Sequence, residues 1–187
     1  MEGVILEVLL YRFATRKIHE TQKGRALRMP VRISGIVSSG LGRAHVFMAQ
    51  KHYQEQFLSL IGKTVWPGTL NLSVSQSNLI NYIALRMKSG IDTLDAEQQD
   101  LEEAKKVPLE QIESHRIRGF LRDGISFGGA TAFKAEFIVG ERTVDCAVLI
   151  PDLTRHFDVV EVISPTFLRE HLDLKDGDEV ELELELN

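Results

Sequence analysis

The chain has 187 residues and a formal net charge of −5, from 22 Lys and Arg against 27 Asp and Glu. With 43% hydrophobic and 26% charged residues it has the composition of an ordinary globular protein long enough to bury a core, which excludes a wholly disordered chain and a disulfide-stapled miniprotein. The mild acidity leaves no global footprint for nucleic acid or an anionic membrane, and the lone Cys146 excludes an intrachain disulfide or a cysteine-built zinc cluster and points to a reducing cytoplasm.

In chain order, an apolar run from Val4 to Tyr11 opens a leader over residues 1–30. It is too short to span a membrane and has neither a basic n-region nor a small-residue cleavage site, so it reads as a soluble helix or strand. Residues 11–32 then carry seven basic side chains against Glu20 alone, and Pro30 closes the leader. From Val31 the texture becomes β-branched, alternating and broken by glycine, which predicts strands over residues 31–37, 70–74, 116–120, 132–138, 144–150 and 159–163. Val180, Leu182, Leu184 and Leu186 alternate with Glu179, Glu181, Glu183 and Glu185, a strand with one buried face and one carboxylate ladder. Helices are expected over residues 54–61 and 165–172, the second with Ser164 as N-cap and Pro165 in the first helical position. Residues 76–114 interrupt the β texture with a helix over 78–88 and a stretch holding eight acidic groups, read as a helical, surface-lying insertion. These elements make one mainly β domain over residues 31–187, a small barrel or sandwich.

Three segments carry chemistry. Gly40-Leu41-Gly42-Arg43-Ala44-His45 follows a strand, and closely spaced glycines there let backbone N–H groups turn towards a phosphate; the same segment serves equally as a plain turn. It is not a P-loop, because no Gly-Lys-Ser/Thr follows. In Pro67-Gly68-Thr69-Leu70-Asn71-Leu72, residues two apart point the same way, so Thr69 and Asn71 present two neutral oxygens on one face. Such a pair suits Mg²⁺, which takes few protein oxygens beside waters and phosphates, and it also suits a half-exposed strand with ordinary polar residues. Ser164-Pro165-Thr166-Phe167-Leu168-Arg169 would place the N–H groups of Thr166 and Phe167 at a helix N-terminus suited to an anion, with Arg169 one turn on; the alternative is a capped helix whose arginine pairs with a nearby acid. His156 is either a loop histidine or a general base.

Taken in order, these segments resemble the CTP-dependent riboflavin kinases of archaea. The matching run is Gly40-Leu41-Gly42, Tyr53, Phe57, Gly68-Thr69-Leu70-Asn71, Phe127-Gly128, Cys146 to Pro151, Thr154, His156, Glu161 to Pro165, Leu168-Arg169 and Leu174 to Asp178. The resemblance implies a closed six-stranded cradle-loop β-barrel that transfers the γ-phosphate of CTP to the 5′-hydroxyl of riboflavin, giving FMN and CDP. It implies nucleotide contacts from Gly40, Leu41, Gly42, Arg43, Ala44 and His45 and from Thr166, Phe167, Leu168 and Arg169. It also implies Mg²⁺ at Thr69 and Asn71, and flavin contacts from Thr154 and Glu161. The family's loop commonly reads Gly-x-Gly-Glu-Gly and then a basic residue, where this chain has Arg43, Ala44 and His45. Some members carry an N-terminal winged-helix domain, for which the leader is too short. No catalytic base and no oligomeric state is assigned. The competing readings are a barrel that binds nucleic acid through the basic leader, and a flavin or nucleotide sensor without phosphotransfer.

Overall fold

The computed structural model describes residues 30–187, apart from Leu41, Arg43, Asp92, Leu94 and Arg155. The rest of the expected leader lies outside the described residues. Alternation builds the sheet as expected. In β1 (Arg32–Ser38), Ile33 and Val37 point inward; in β9 (Glu179–Leu184), Val180, Leu182 and Leu184 do, while the glutamates between them face out. Arg32 lies opposite Glu183 and also pairs with Glu181 at 3.1 Å, which offsets part of the carboxylate repulsion along β9.

The remaining strands are β2 (Leu70–Ser73), β3 (His115–Ile117), β4 (Phe120–Arg122), β5 (Ile125–Phe127), β6 (Ala130–Val139), β7 (Arg142–Pro151) and β8 (Val159–Ile163). Hydrogen bonding runs antiparallel through β6, β7, β8, β2, β1 and β9, and β9 returns to β6. This closes the six-stranded barrel that the resemblance implied, with β3 as an extra strand on β6 and β4–β5 as a separate hairpin. Closure removes the exposed edges of an open sheet. The interior is filled by Phe133, Phe137, Val148, Ile150, Val160 and Leu182, among others.

Among the described residues the helices are α1 (Ala44–Met48), α2 (Lys51–Ile61), α3 (Gln76–Lys88), α4 (Gln98–Ala104) and α5 (Leu168–Leu172). In α2, Tyr53, Phe57 and Leu60 share one buried face, and Gly62, at φ 80°, stops the helix with its N–H on the Leu58 carbonyl at 2.9 Å.

Three expectations are corrected. The 76–114 segment was read as surface-lying, yet Tyr82, Ile83 and Leu85 of α3 are fully buried and Ala104, Leu109 and Ile112 follow them into the main core. The acidic residues cover the outside of this segment, so charge density hid a core element. The strand expected over 116–120 divides at Arg118-Gly119. There Arg118 takes its backbone partners from α2 rather than from a strand: its N–H donates to Gln56 Oε1 at 2.7 Å, and its carbonyl faces His52 Nε2 at 2.9 Å. The helix expected from Pro165 begins only at Leu168, after Phe167 as N-cap. Ser164 is buried and donates its hydroxyl to the Asp145 carbonyl at 2.9 Å, so it ties β8 to β7 instead of capping a helix.

Candidate active site

Barrel register brings the separated motifs to one end of the β1, β2 and β8 strands. Asn71 on β2 lies opposite Ser38 on β1 and Glu161 on β8, so the Asn71 and Glu161 side chains share a face. The Thr69 hydroxyl lies 3.4 Å from Asn71 Oδ1 and is within hydrogen-bonding reach of Glu161. Gly40 packs so closely on Asn71 that a Cβ added to it would fall 2.5 Å from Asn71 Nδ2, and any side chain there would displace the amide. Loop and strand are therefore matched to each other.

A shallow cleft of about 60 Å³ opens beside this cluster, lined by Trp66, Gly68 and Thr69 on one side and by Ser164, Thr166, Phe167, Leu168 and Arg169 on the other. Arg169 is held at its edge: its guanidinium donates to the Ser38 carbonyl at 3.1 Å and to Asp176 Oδ1 at 2.6 Å. The bonds from Ser39 and Arg169 hold the Asp176 carboxyl below the usual carboxylate range. The arginine thus stands at the root of the glycine loop, pre-positioned by an acid at the surface.

Glu161 is a half-buried carboxylate beside Asn71. Burial pushes its pKa up, the Thr69 hydrogen bond pulls it part of the way back, and His156 adds a smaller downward pull. His156 is held in turn through its carbonyl, which accepts from Arg86 of α3 at 2.8 Å, so α3 supports the loop that precedes β8.

The fourteen residues singled out from the sequence divide as follows. Gly40, Thr69, Asn71, Glu161, Thr166, Phe167, Leu168 and Arg169 are brought together by the contacts above. Gly42, at φ 66°, leads into α1, and His45 Nδ1 lies 3.0 Å from the Gly42 carbonyl. Ala44 is the first residue of α1, so the position where the family has a third glycine carries an ordinary helical residue here. Leu41 and Arg43 lie outside the described residues. Thr154 sits in the β7–β8 loop with its N–H on the Pro151 carbonyl at 3.1 Å, and it does not line the cleft. The N–H groups of Thr166 and Phe167 precede α5 rather than opening a helix, and that of Thr166 faces Ser164 Oγ at 3.4 Å. Sequence reasoning missed Trp66, although an aromatic residue directly before Pro67-Gly68-Thr69 could have been noticed.

The donor set suits a small hard cation. Thr69 and Asn71 offer neutral oxygens at neighbouring positions, the kind of partial site that leaves room for water and phosphate ligands. Among the described residues there is no cluster of three His, Cys, Asp or Glu side chains arranged to hold a metal. No helix among the described residues is long and apolar enough to cross a membrane.

Comparison with known proteins gives a consistent outcome. The family model labelled CTP-dependent riboflavin kinase, described as a domain of unknown function (DUF120), matches residues 37–105 and 91–184. The riboflavin kinase of Thermoplasma acidophilum is 31% identical over 179 residues, covering 96% of this chain and 66% of that protein. Those of Haloquadratum walsbyi and Pyrobaculum islandicum are 29% and 31% identical, covering 82% and 84% of this chain but 56% and 62% of their own lengths. This chain thus spans somewhat less than two thirds of the length of each of these three relatives.

Proposed function

This chain belongs to the CTP-dependent riboflavin kinase family, and from that membership we propose that it transfers the γ-phosphate of CTP to the 5′-hydroxyl of riboflavin, giving FMN and CDP with Mg²⁺. The observation that carries the reading is the convergence of Gly40, Thr69, Asn71, Glu161 and Arg169, drawn from four separate segments, on one end of the barrel.

Phosphoryl transfer asks the protein mainly for placement and for neutralisation of phosphate charge. In this reading Gly40, Leu41, Gly42, Arg43, Ala44 and His45 wrap the phosphates, while Arg169, together with the Thr166, Phe167 and Leu168 backbone, holds the nucleotide across the cleft. Thr69 and Asn71 would hold Mg²⁺, which when bound would screen the charge of the phosphates. Thr154 and Glu161 meet the flavin. Glu161, the carboxylate that lies opposite Asn71 in the barrel register, is the group placed to take the proton of the hydroxyl being phosphorylated. As the hydroxyl oxygen bonds to the γ-phosphorus and the bond to the CDP oxygen breaks, its proton passes to the Glu161 carboxylate. Residues 31–187 would act as one catalytic domain.

The test is an FMN assay on the full chain with riboflavin, Mg²⁺ and CTP, ATP, GTP or UTP in parallel. FMN with CTP well above the others is the expected result. FMN at equal rates with ATP would remove the nucleotide preference, and no FMN with any nucleotide would overturn the reaction.

A further inference from the structure

Trp66 and Phe167 are large apolar side chains left 46% and 39% exposed at the mouth of the cleft. Their rings stack with centroids 5.0 Å apart and planes inclined by 23°. Exposing two adjacent aromatic side chains forgoes the stabilisation that their burial would bring. The pair is held in place all the same. The Trp66 N–H donates to the Ser164 carbonyl at 2.8 Å, and the Gly68 N–H turns back onto the Trp66 carbonyl at 2.8 Å. This fixes the segment against the end of β8. Phe167 is anchored by its neighbour Leu168, which is 4% exposed.

The surroundings define what such a pair can receive. Thr69 and Arg169 line the same cleft, so a fitting ligand has a flat aromatic part joined to an anionic part. Arg169 offers the charge for the anionic part, which leaves the exposed aromatic surface of Trp66 and Phe167 for the flat part. We propose, resting on the kinase reading above, that Trp66 and Phe167 form a preformed platform on which the nucleobase of the triphosphate stacks, Trp66 supplying most of the contact. Every base has a π-face, so stacking is tolerant of base identity. The platform therefore supplies affinity for the nucleotide and does not choose cytosine; that choice lies elsewhere.

Trp66 is the single tryptophan of the chain, so intrinsic fluorescence reports on this position alone. Titrating the full-length protein with CDP and Mg²⁺, excited at the red edge of the indole band, is expected to quench the emission saturably. Trp66→Ala is expected to raise KM for CTP about 10-fold, the effect of losing one base–aromatic stack, with kcat kept within about twofold. The same factor is expected for whatever other nucleotides are used, and Trp66→Phe should restore most of the affinity. Phe167→Ala gives a second variant should Trp66→Ala fold poorly. If FMN forms from CTP while CDP leaves the emission unmoved and KM for CTP is unchanged in both alanine variants, the platform is overturned and the kinase reading stands. If the variants raise KM for riboflavin and not for CTP, the platform takes the flavin and the proposal is overturned. If no FMN forms but CDP still quenches Trp66 saturably, the platform stands and the transfer reaction falls. If neither FMN nor quenching appears, both fall.

Discussion

Tyr53, Phe57, Phe120 and Phe127 form a closed aromatic group, whereas Trp66 and Phe167 form an open one. In the closed group, Phe120 and Phe127 stack at 4.5 Å, Tyr53 meets Phe120 edge-on at 5.4 Å, and the Tyr53 hydroxyl donates to the Gly128 carbonyl. Three of these rings are buried, and their job is to fasten α2 and the β4–β5 hairpin to the barrel. The open pair makes one stacking contact and keeps much of its surface in solvent. The same residue type thus serves packing where neighbours surround it and recognition where the backbone holds it out. Resemblance alone marks both regions, since Tyr53, Phe57 and Phe127 match the family as Leu168 and Arg169 do; burial separates their roles.

That contrast can be broken most forcefully at Phe57, which is 1% exposed. Phe57→Ala should lower the unfolding free energy in a denaturant titration by about 3–5 kcal/mol, while Phe167→Ala should cost less than about 1 kcal/mol. Equal losses would erase the distinction. Next in size, Asn71→Ala should reduce FMN turnover about 100-fold, as loss of a group that places phosphate and metal does, with the unfolding midpoint little changed; unchanged turnover at limiting Mg²⁺ would remove Asn71 from that role. Arg169→Met should raise KM for CTP about 10-fold, the effect of removing a charge-assisted phosphate contact, and the wild-type KM should rise with salt more than that of the variant.

The effect of Glu161→Gln on stability is the smallest, and it runs opposite to its effect on activity. Its folded-state pKa is raised by burial, so above that value the charged form burdens the folded state, and below the ordinary carboxylate range the burden is gone. Stability contributed at this position is therefore lost as pH rises through the raised pKa. Glu161→Gln should melt above the wild type at neutral pH, with the gap closing on acidification, while FMN formation falls. A variant that melts lower at neutral pH would show that the carboxylate is a net structural support.

The strands were the most legible elements, because alternation reports the barrel interior directly: β8 spans the residues that the pattern predicted, and β9 ends two residues short of Leu186. The β4–β5 hairpin was missed although its signal was present. Asp123-Gly124 sits between Phe120-Leu121-Arg122 and Ile125-Ser126-Phe127, and both turn residues take positive φ, 52° and 76°, as a two-residue hairpin turn requires. Helix α1 was not legible: its five residues bury only Met48, so no apolar stripe announces it. The late start of α5 was also hidden, because it depends on a bond from Ser164 to a residue nineteen positions away. At the site, the motifs named the residues, but only the register of β2 against β1 and β8 set Asn71 beside both Gly40 and Glu161. The place of Trp66 before Pro67-Gly68-Thr69 was legible, but its exposure at the cleft was not.

The closure of the barrel through β9 has a consequence for how the chain acquires its shape. Arg32 and Glu183 are register partners 151 residues apart, and β9 also completes the open edge of β6. Until β9 is available, β1 lacks one neighbour and the far half of β6 lacks another, so the barrel cannot close before β9 has been made. Pairings of such long range delay folding by the entropy of the loop they close. During that interval the cell holds an open sheet whose unpaired edges can find other chains.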